Sequence, residues 1–209
     1  MFTSTFCYRG QIDFPEFSGL RVMMMPVVLG DLGSIPDMLA SYRGVLTKLF
    51  ALGGHAGSVG YVTIDEKHLT PGDTTRRGGL HVDGVYQGKM GAWGGGGGWG
   101  SVGNGMLTVS SYPACRAWNQ HFIGMPGDEG ECDHLIDQLD PKAERVFGAG
   151  EVYWLDGLCV HESMPVPEET DRQFIRLSLP SNGPWFEGYT ENPLGIRPSG
   201  EILPRREFM

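Results

Sequence analysis

"AGEVYWLDGLCVHESMPVPEETDRQFIRLSLP", residues 149–180, is the stretch on which the fold turns. "EVYWLDGLCVH" and "FIRLSLP" read as short β-like pieces separated by a segment that carries Pro165 and Pro167. The same alternation of short β-like pieces and turns runs back to Met106 through "MLTVSSY", "RAWNQHFIG" and "ERVFG". Between them, "PGDEGECDHLIDQLDPKAE" is acidic and reads as a solvated loop with one short helix around His134 to Leu139. Its Cys132, Asp133 and His134 are consecutive on that polar loop, a spacing that seldom lets three side chains converge on one ion.

Towards the N-terminus, "RVMMMPVVL" from Arg21 to Leu29 has the valine content and shortness of a strand and runs into the turn-rich "GDLGSIP". Ser34 or Asp37 is placed to cap a helix from about Pro36 to Leu52, with Met38, Leu39, Tyr42, Val45, Leu46, Leu49 and Phe50 at helical spacing. "GSVGYVTID" follows as a strand. One helical segment set against many short strands favours a mainly β protein, a sandwich or barrel with an N-terminal helix packed on the sheet. The chain of 209 residues suits a single domain, 1–209, with its core over about 56–185.

A hydrophobic fraction of 40% with 20% charged residues is that of a folding chain, not a disordered one. The net charge of -9 and the absence of a Lys/Arg run argue against a grip on nucleic-acid phosphates, so a small-molecule ligand is expected. The N-terminal "MFTSTFCYRG" lacks a signal-peptide layout, and Val22 to Leu29 is too short an apolar run to span a membrane. The expectation is a cytoplasmic protein with no membrane partner. Cys7, Cys115, Cys132 and Cys159 are widely spaced with no C-x-x-C pair and read as reduced thiols, Cys159 buried.

"GGLHVDGVY", residues 78–86, carries the chemistry. If it is a strand, His81 and Asp83 lie on one face and offer an imidazole and a carboxylate to a metal ion. A third ligand is needed. His55 and His68 lie in polar loops and His121 follows "RAWNQ", whereas His161 ends an apolar strand, where a metal at the mouth of a barrel is both held and reachable. Two imidazoles and a carboxylate on one face of an octahedral ion leave three positions open, the arrangement of non-haem Fe(II) sites that bind oxygen and an organic chelator.

With Gly150, His161, Pro165, Pro167 and Arg172 in that order, the chain resembles the Fe(II)/2-oxoglutarate-dependent oxygenases, over roughly Gly79 to Pro180. The resemblance implies a double-stranded β-helix, also called a jelly roll or cupin-like fold, with a metal triad of His81, Asp83 and His161. It also implies Fe(II), 2-oxoglutarate as cosubstrate and O2. Arg172, eleven residues past His161, matches the arginine that grips the distal carboxylate of 2-oxoglutarate in the taurine-dioxygenase-like branch, where a second arginine four positions on, here Arg176, meets an anionic substrate. A guanidinium fork suits a planar carboxylate. Alternatively, Arg176 with Ser178 matches the R-x-S pair of the plant and penicillin-type branch. Thr108, twenty-five residues after Asp83, matches a threonine that touches the same carboxylate, and is equally readable as a β-former. The chain departs from the pattern in its small size and in the separation of 78 positions from Asp83 to His161, which takes in a long insertion.

Those residues include the run Gly94–Gly98, either a surface insertion or a lid that closes Trp93 and Trp99 over a ligand. Arg76 and Arg77 are further candidates for the rim of a pocket, and Trp93, Trp99, Trp118 and His121 for its wall, packing being the favoured reading of these rings. The expected activity is hydroxylation, desaturation or cyclisation of a small, anionic metabolite such as an amino acid derivative. Two rival readings are a metal-dependent cupin that does not use 2-oxoglutarate, as isomerase or cosubstrate-free dioxygenase, and a non-catalytic jelly roll that binds a small ligand.

Overall fold

The computed structural model describes residues 1–75, 77–83, 105–127, 130–180, 185–200 and 202–203. The chain is mainly β. Its strands are β1 (Phe2–Thr3), β2 (Phe6–Gln11), β3 (Arg21–Val28), β4 (Val59–Asp65), β5 (Lys67–Leu69), β6 (Met106–Ser110), β7 (Cys115–Trp118), β8 (His121–Phe122) and β9 (Glu144–Val146). β10 (Glu151–Leu155), β11 (His161–Ser163), β12 (Thr170–Arg172), β13 (Phe174–Ser178), β14 (Trp185–Phe186) and β15 (Ile202–Leu203) follow. A single α-helix, α1 (Arg43–Gly53), is found among the described residues.

Six strands form the main antiparallel sheet in the order β2-β10-β6-β13-β4-β3. Side-chain alternation gives it two different faces. Leu107 and Val109 of β6, Ile175 and Leu177 of β13, and Val62 and Ile64 of β4 join Val45, Leu46, Leu49 and Phe50 of α1 in the largest buried cluster. The helix is thereby packed on the sheet. Thr108 of β6 and Arg176 of β13 alternate with these residues and lie directly opposite each other in the register, on the other face. That face carries polar groups at the centre of a sheet buried on both sides.

A smaller antiparallel sheet, β11-β7-β9, packs against this second face through Met106, Tyr153 and Leu155 on one side and Ala117, Cys115 and Cys159 on the other. The sheet is extended past β11 by an isolated bridge between His161 and His81, and a second bridge joins His81 to Glu131. The described residues hold no helix long and apolar enough to cross a membrane.

Several local expectations change. The helix expected from Pro36 to Leu52 is 3₁₀ over Asp37–Tyr42 and α only from Arg43. The tighter winding eclipses residues three apart, which puts Leu39 and Tyr42, both fully buried, on one side. Neither Ser34 nor Asp37 caps it through a side chain: Pro36 holds the cap position, and the Ser34 hydroxyl instead bonds Val28 and the Asp31 carbonyl. "EVYWLDGLCVH" is two strands. β10 ends at Leu155, a turn closes with Cys159 N–H donating to Asp156 O, and His161 opens β11.

Candidate metal centre

His81, Asp83 and His161 come together, and they are the one group of metal-ligating side chains found among the described residues. One ligand atom from each lies within 4.8 Å of the other two. His81 and His161 are held as an antiparallel pair: each backbone N–H donates to the other's carbonyl at 3.0 Å. "GGLHVDGVY" is therefore not a regular strand over its described part. Only His81 enters the ladder, as a bridge residue, and Asp83 follows it into the site.

Each imidazole is oriented by a local carbonyl. His81 Nδ1 bonds Gly79 O at 2.8 Å and His161 Nδ1 bonds Cys159 O at 2.9 Å. A carbonyl only accepts, so the proton is on Nδ1 in both rings and the Nε2 lone pairs face the centre, the arrangement that orients ligating histidines. His161 Nε2 is 3.8 Å from Asp83 Oδ2. Burial, followed by the neighbouring His161, pulls the His81 pKa down to about 4, so this imidazole is neutral at neutral pH, the form that binds metal. Two inward-facing imidazole nitrogens and one carboxylate fit a divalent first-row ion.

The centre lies in a cavity of about 900 Å³, counting the space open to solvent. Its lining includes His81, Asp83, His161, Thr108, Arg172 and Arg176, all six residues expected from the sequence. The two arginines do different things. Arg176, only 2% exposed, donates from Nη1 to Asp83 Oδ2 at 2.9 Å and from Nη2 to the Met24 thioether at 3.4 Å. Arg172, also 2% exposed, donates from Nε to Ser110 Oγ and from Nη1 to Thr75 O, both at 3.2 Å. Its guanidinium carbon sits 4.5 Å from the Phe174 ring centroid and Nη1 is 3.9 Å from Asp65. Arg176 is thus bonded to the carboxylate of the cluster, and Arg172 to Ser110 and Thr75 in the same cavity.

The arginines do not share one strand. β12 pairs with β5, β13 pairs with β4 and β6, and Gln173 interrupts them. The Gln173 amide reaches away to Glu66 Oε1, Tyr42 Oη and Pro15 O at 2.9–3.0 Å, which lets the chain turn so that both arginines still enter the cavity.

Ser110, Thr75 and Ser163 also line the cavity and were not anticipated. Alternation carried the signal for two of them, since Ser110 is two residues past Thr108 and Ser163 two past His161 on their strands. Cys115, opposite Ser163 in the β7–β11 register, lines it too, with burial pushing its thiol pKa up to about 12. Other candidates lie elsewhere. Trp118 is buried beside Phe2 and Phe122 in another cluster, and His121 bonds Thr3 Oγ1. His68 bonds Glu169 and Asp171, and exposed His55 takes no part in the cluster. Cys132, Asp133 and His134 do not converge: Cys132 is buried, Asp133 accepts from Leu80 N–H and His134 bonds Met125 O. Arg77 is exposed at the rim. Arg76, Trp93, Trp99 and the glycine run fall outside the described residues.

The chain matches no protein-family model, and no curated protein or solved structure is significantly similar to it.

Proposed function

We propose that this protein is a non-haem Fe(II)/2-oxoglutarate-dependent oxygenase, built as a double-stranded β-helix and acting in the cytoplasm on a small, anionic metabolite such as an amino acid derivative. The observation that carries the reading is the convergence of His81, Asp83 and His161 in a cavity that also holds two buried arginines at different stations. Bound iron supplies O2 activation coupled to the oxidative decarboxylation of 2-oxoglutarate, giving succinate, carbon dioxide and an oxidised substrate.

The chain's own part is positioning. His81 Nε2, His161 Nε2 and a carboxylate oxygen of Asp83 would hold the ion. Arg172, fixed by Ser110 and Thr75, receives the distal carboxylate of 2-oxoglutarate in its fork. Arg176 has a different task. Its guanidinium, beside Asp83 in the cavity wall, is the cation placed to meet an anionic group on the substrate. Asp83 fills the ligand position that a halide would need, which favours hydroxylation, desaturation or cyclisation over halogenation.

The test is anaerobic. Fe(II) followed by 2-oxoglutarate gives the wild-type protein a weak visible charge-transfer band, and admission of air releases succinate; Asp83→Ala gives neither. Iron binding without the band assigns the site to a cupin enzyme that works without 2-oxoglutarate. Absence of metal binding assigns it to a non-catalytic jelly roll.

A further inference from the structure

The acidic segment after residue 126 reads from sequence as a solvated loop, yet part of it lies against the metal-binding tripeptide. Val82 N–H donates to Gly130 O at 2.8 Å and Cys132 N–H donates to Leu80 O at 2.7 Å, so residues 130–132 pair with residues 80–82 on the side away from His161. Asp133 completes the contact, its Oδ1 accepting the Leu80 N–H at 2.8 Å. The tripeptide is thus gripped from both sides, by His161 on one and by this segment on the other.

Two glycines make the grip possible. Gly79 has φ +74°, and a Cβ there would lie 3.2 Å from both carboxylate oxygens of Asp133. Gly130 has φ +79°, and a Cβ there would collide with Val82 O. Both conformations are ones that residues with a side chain rarely adopt. The Gly79 carbonyl is also the acceptor that fixes the His81 ring. Asp133 therefore accepts from the N–H of the same peptide group whose carbonyl orients the His81 ring.

We infer that Gly130–Asp133 is the positioning segment of the metal centre and that Asp133 is a positioning residue, holding the Leu80 N–H so that His81 and Asp83 meet the ion in fixed geometry. This rests on the metal-binding part of the function proposed above and not on the use of 2-oxoglutarate. Outer groups that orient ligands typically account for 10–100-fold in metal affinity. Asp133 is exposed and touches the tripeptide through the backbone, so its loss loosens the ligands without emptying a core position.

The experiment compares wild type, Asp133→Ala and Asp133→Asn as full-length metal-free protein, titrated with Co(II) by calorimetry. Hydrogen exchange of the peptide covering residues 79–83 and the melting temperature are measured without metal. The expected result is a 10–100-fold weaker Co(II) affinity and faster exchange at Leu80 in Asp133→Ala, a nearly unchanged melting temperature, and recovery in Asp133→Asn, which keeps an acceptor oxygen. Wild-type affinity and protection in Asp133→Ala overturn the inference, as does an Asp133→Asn protein no better than the alanine variant. If wild type itself binds no Co(II), the proposed function falls, and the exchange at Leu80 alone then decides whether Asp133 orders the tripeptide.

Discussion

His81 and His161, eighty residues apart in the chain, exchange both backbone hydrogen bonds at 3.0 Å and hold their rings with centroids 4.4 Å apart. The pair is fixed by main chain, so removing either imidazole leaves the ladder in place. His161→Ala and His81→Ala are each expected to lose more Co(II) affinity than the 10–100-fold of an outer-group change, because a ligand itself is gone. Circular dichroism should remain that of the wild type. A variant that binds Co(II) normally would show that this histidine is no ligand.

Arg172 and Arg176 separate under a paired test. A lysine cannot reproduce a two-pronged contact to a carboxylate, and a hydrogen bond to a charged group contributes about 1.5–3 kcal/mol. Arg172→Lys should therefore need roughly 10–100-fold more 2-oxoglutarate to develop the charge-transfer band, with Co(II) affinity unchanged. In Arg176→Lys the partner of Asp83 changes, and metal affinity should move as well. The reverse assignment of the two effects would give the cosubstrate to Arg176.

Much of this was legible in the residues because alternation is a local signal. "MLTVSSY" and "FIRLSLP" announce strands whose apolar and polar faces are separable by eye, and they became β6 and β13. The cluster was legible through the types of His81, Asp83 and His161. Pairings between distant segments were not. Nothing local says that Glu131 lies beside His81, because the contact is made through backbone and depends on Gly79 and Gly130 allowing close approach. Likewise, Gln173 looks like one more strand residue until Glu66 and Tyr42 are found on its amide.

Glu66 gives the fold a pH signature. The residue is 3% exposed; burial alone would raise its pKa, but hydrogen bonds from Tyr42, Gln173 and the Leu20 and Ser18 N–H groups outweigh burial and hold it at about 2. A group depressed in the folded state contributes stability above its unfolded pKa, near 4.5, and loses it as pH falls through that window towards 2. The amount is on the order of 3 kcal/mol. Urea unfolding at pH 6 and at pH 3 should show about 2 kcal/mol of this loss in wild type, pH 3 lying above the folded pKa, and a much smaller loss in Glu66→Gln. An equal loss in both would place the acid sensitivity elsewhere.

Met24 carries the strain of the site. It has φ +54° at a bulge in β3 between Val22 and Met25, and this turns its side chain to the face of Arg176. Bulges re-aim side chains near functional sites, and left-handed backbone at a long side chain is costly enough to persist only where surrounding contacts impose it. Here the thioether accepts from Thr63 Oγ1 at 3.1 Å and from Arg176 Nη2 at 3.4 Å. A neutral sulfur steadies the guanidinium without cancelling its charge, which a carboxylate at this position would do. Met24→Leu keeps the volume and removes the acceptor, so it should cost about 1 kcal/mol in urea unfolding. It should also weaken Co(II) binding, because Arg176 is then less firmly held against Asp83. If the leucine protein loses stability but keeps full metal affinity, Met24 packs the core and leaves Arg176 alone.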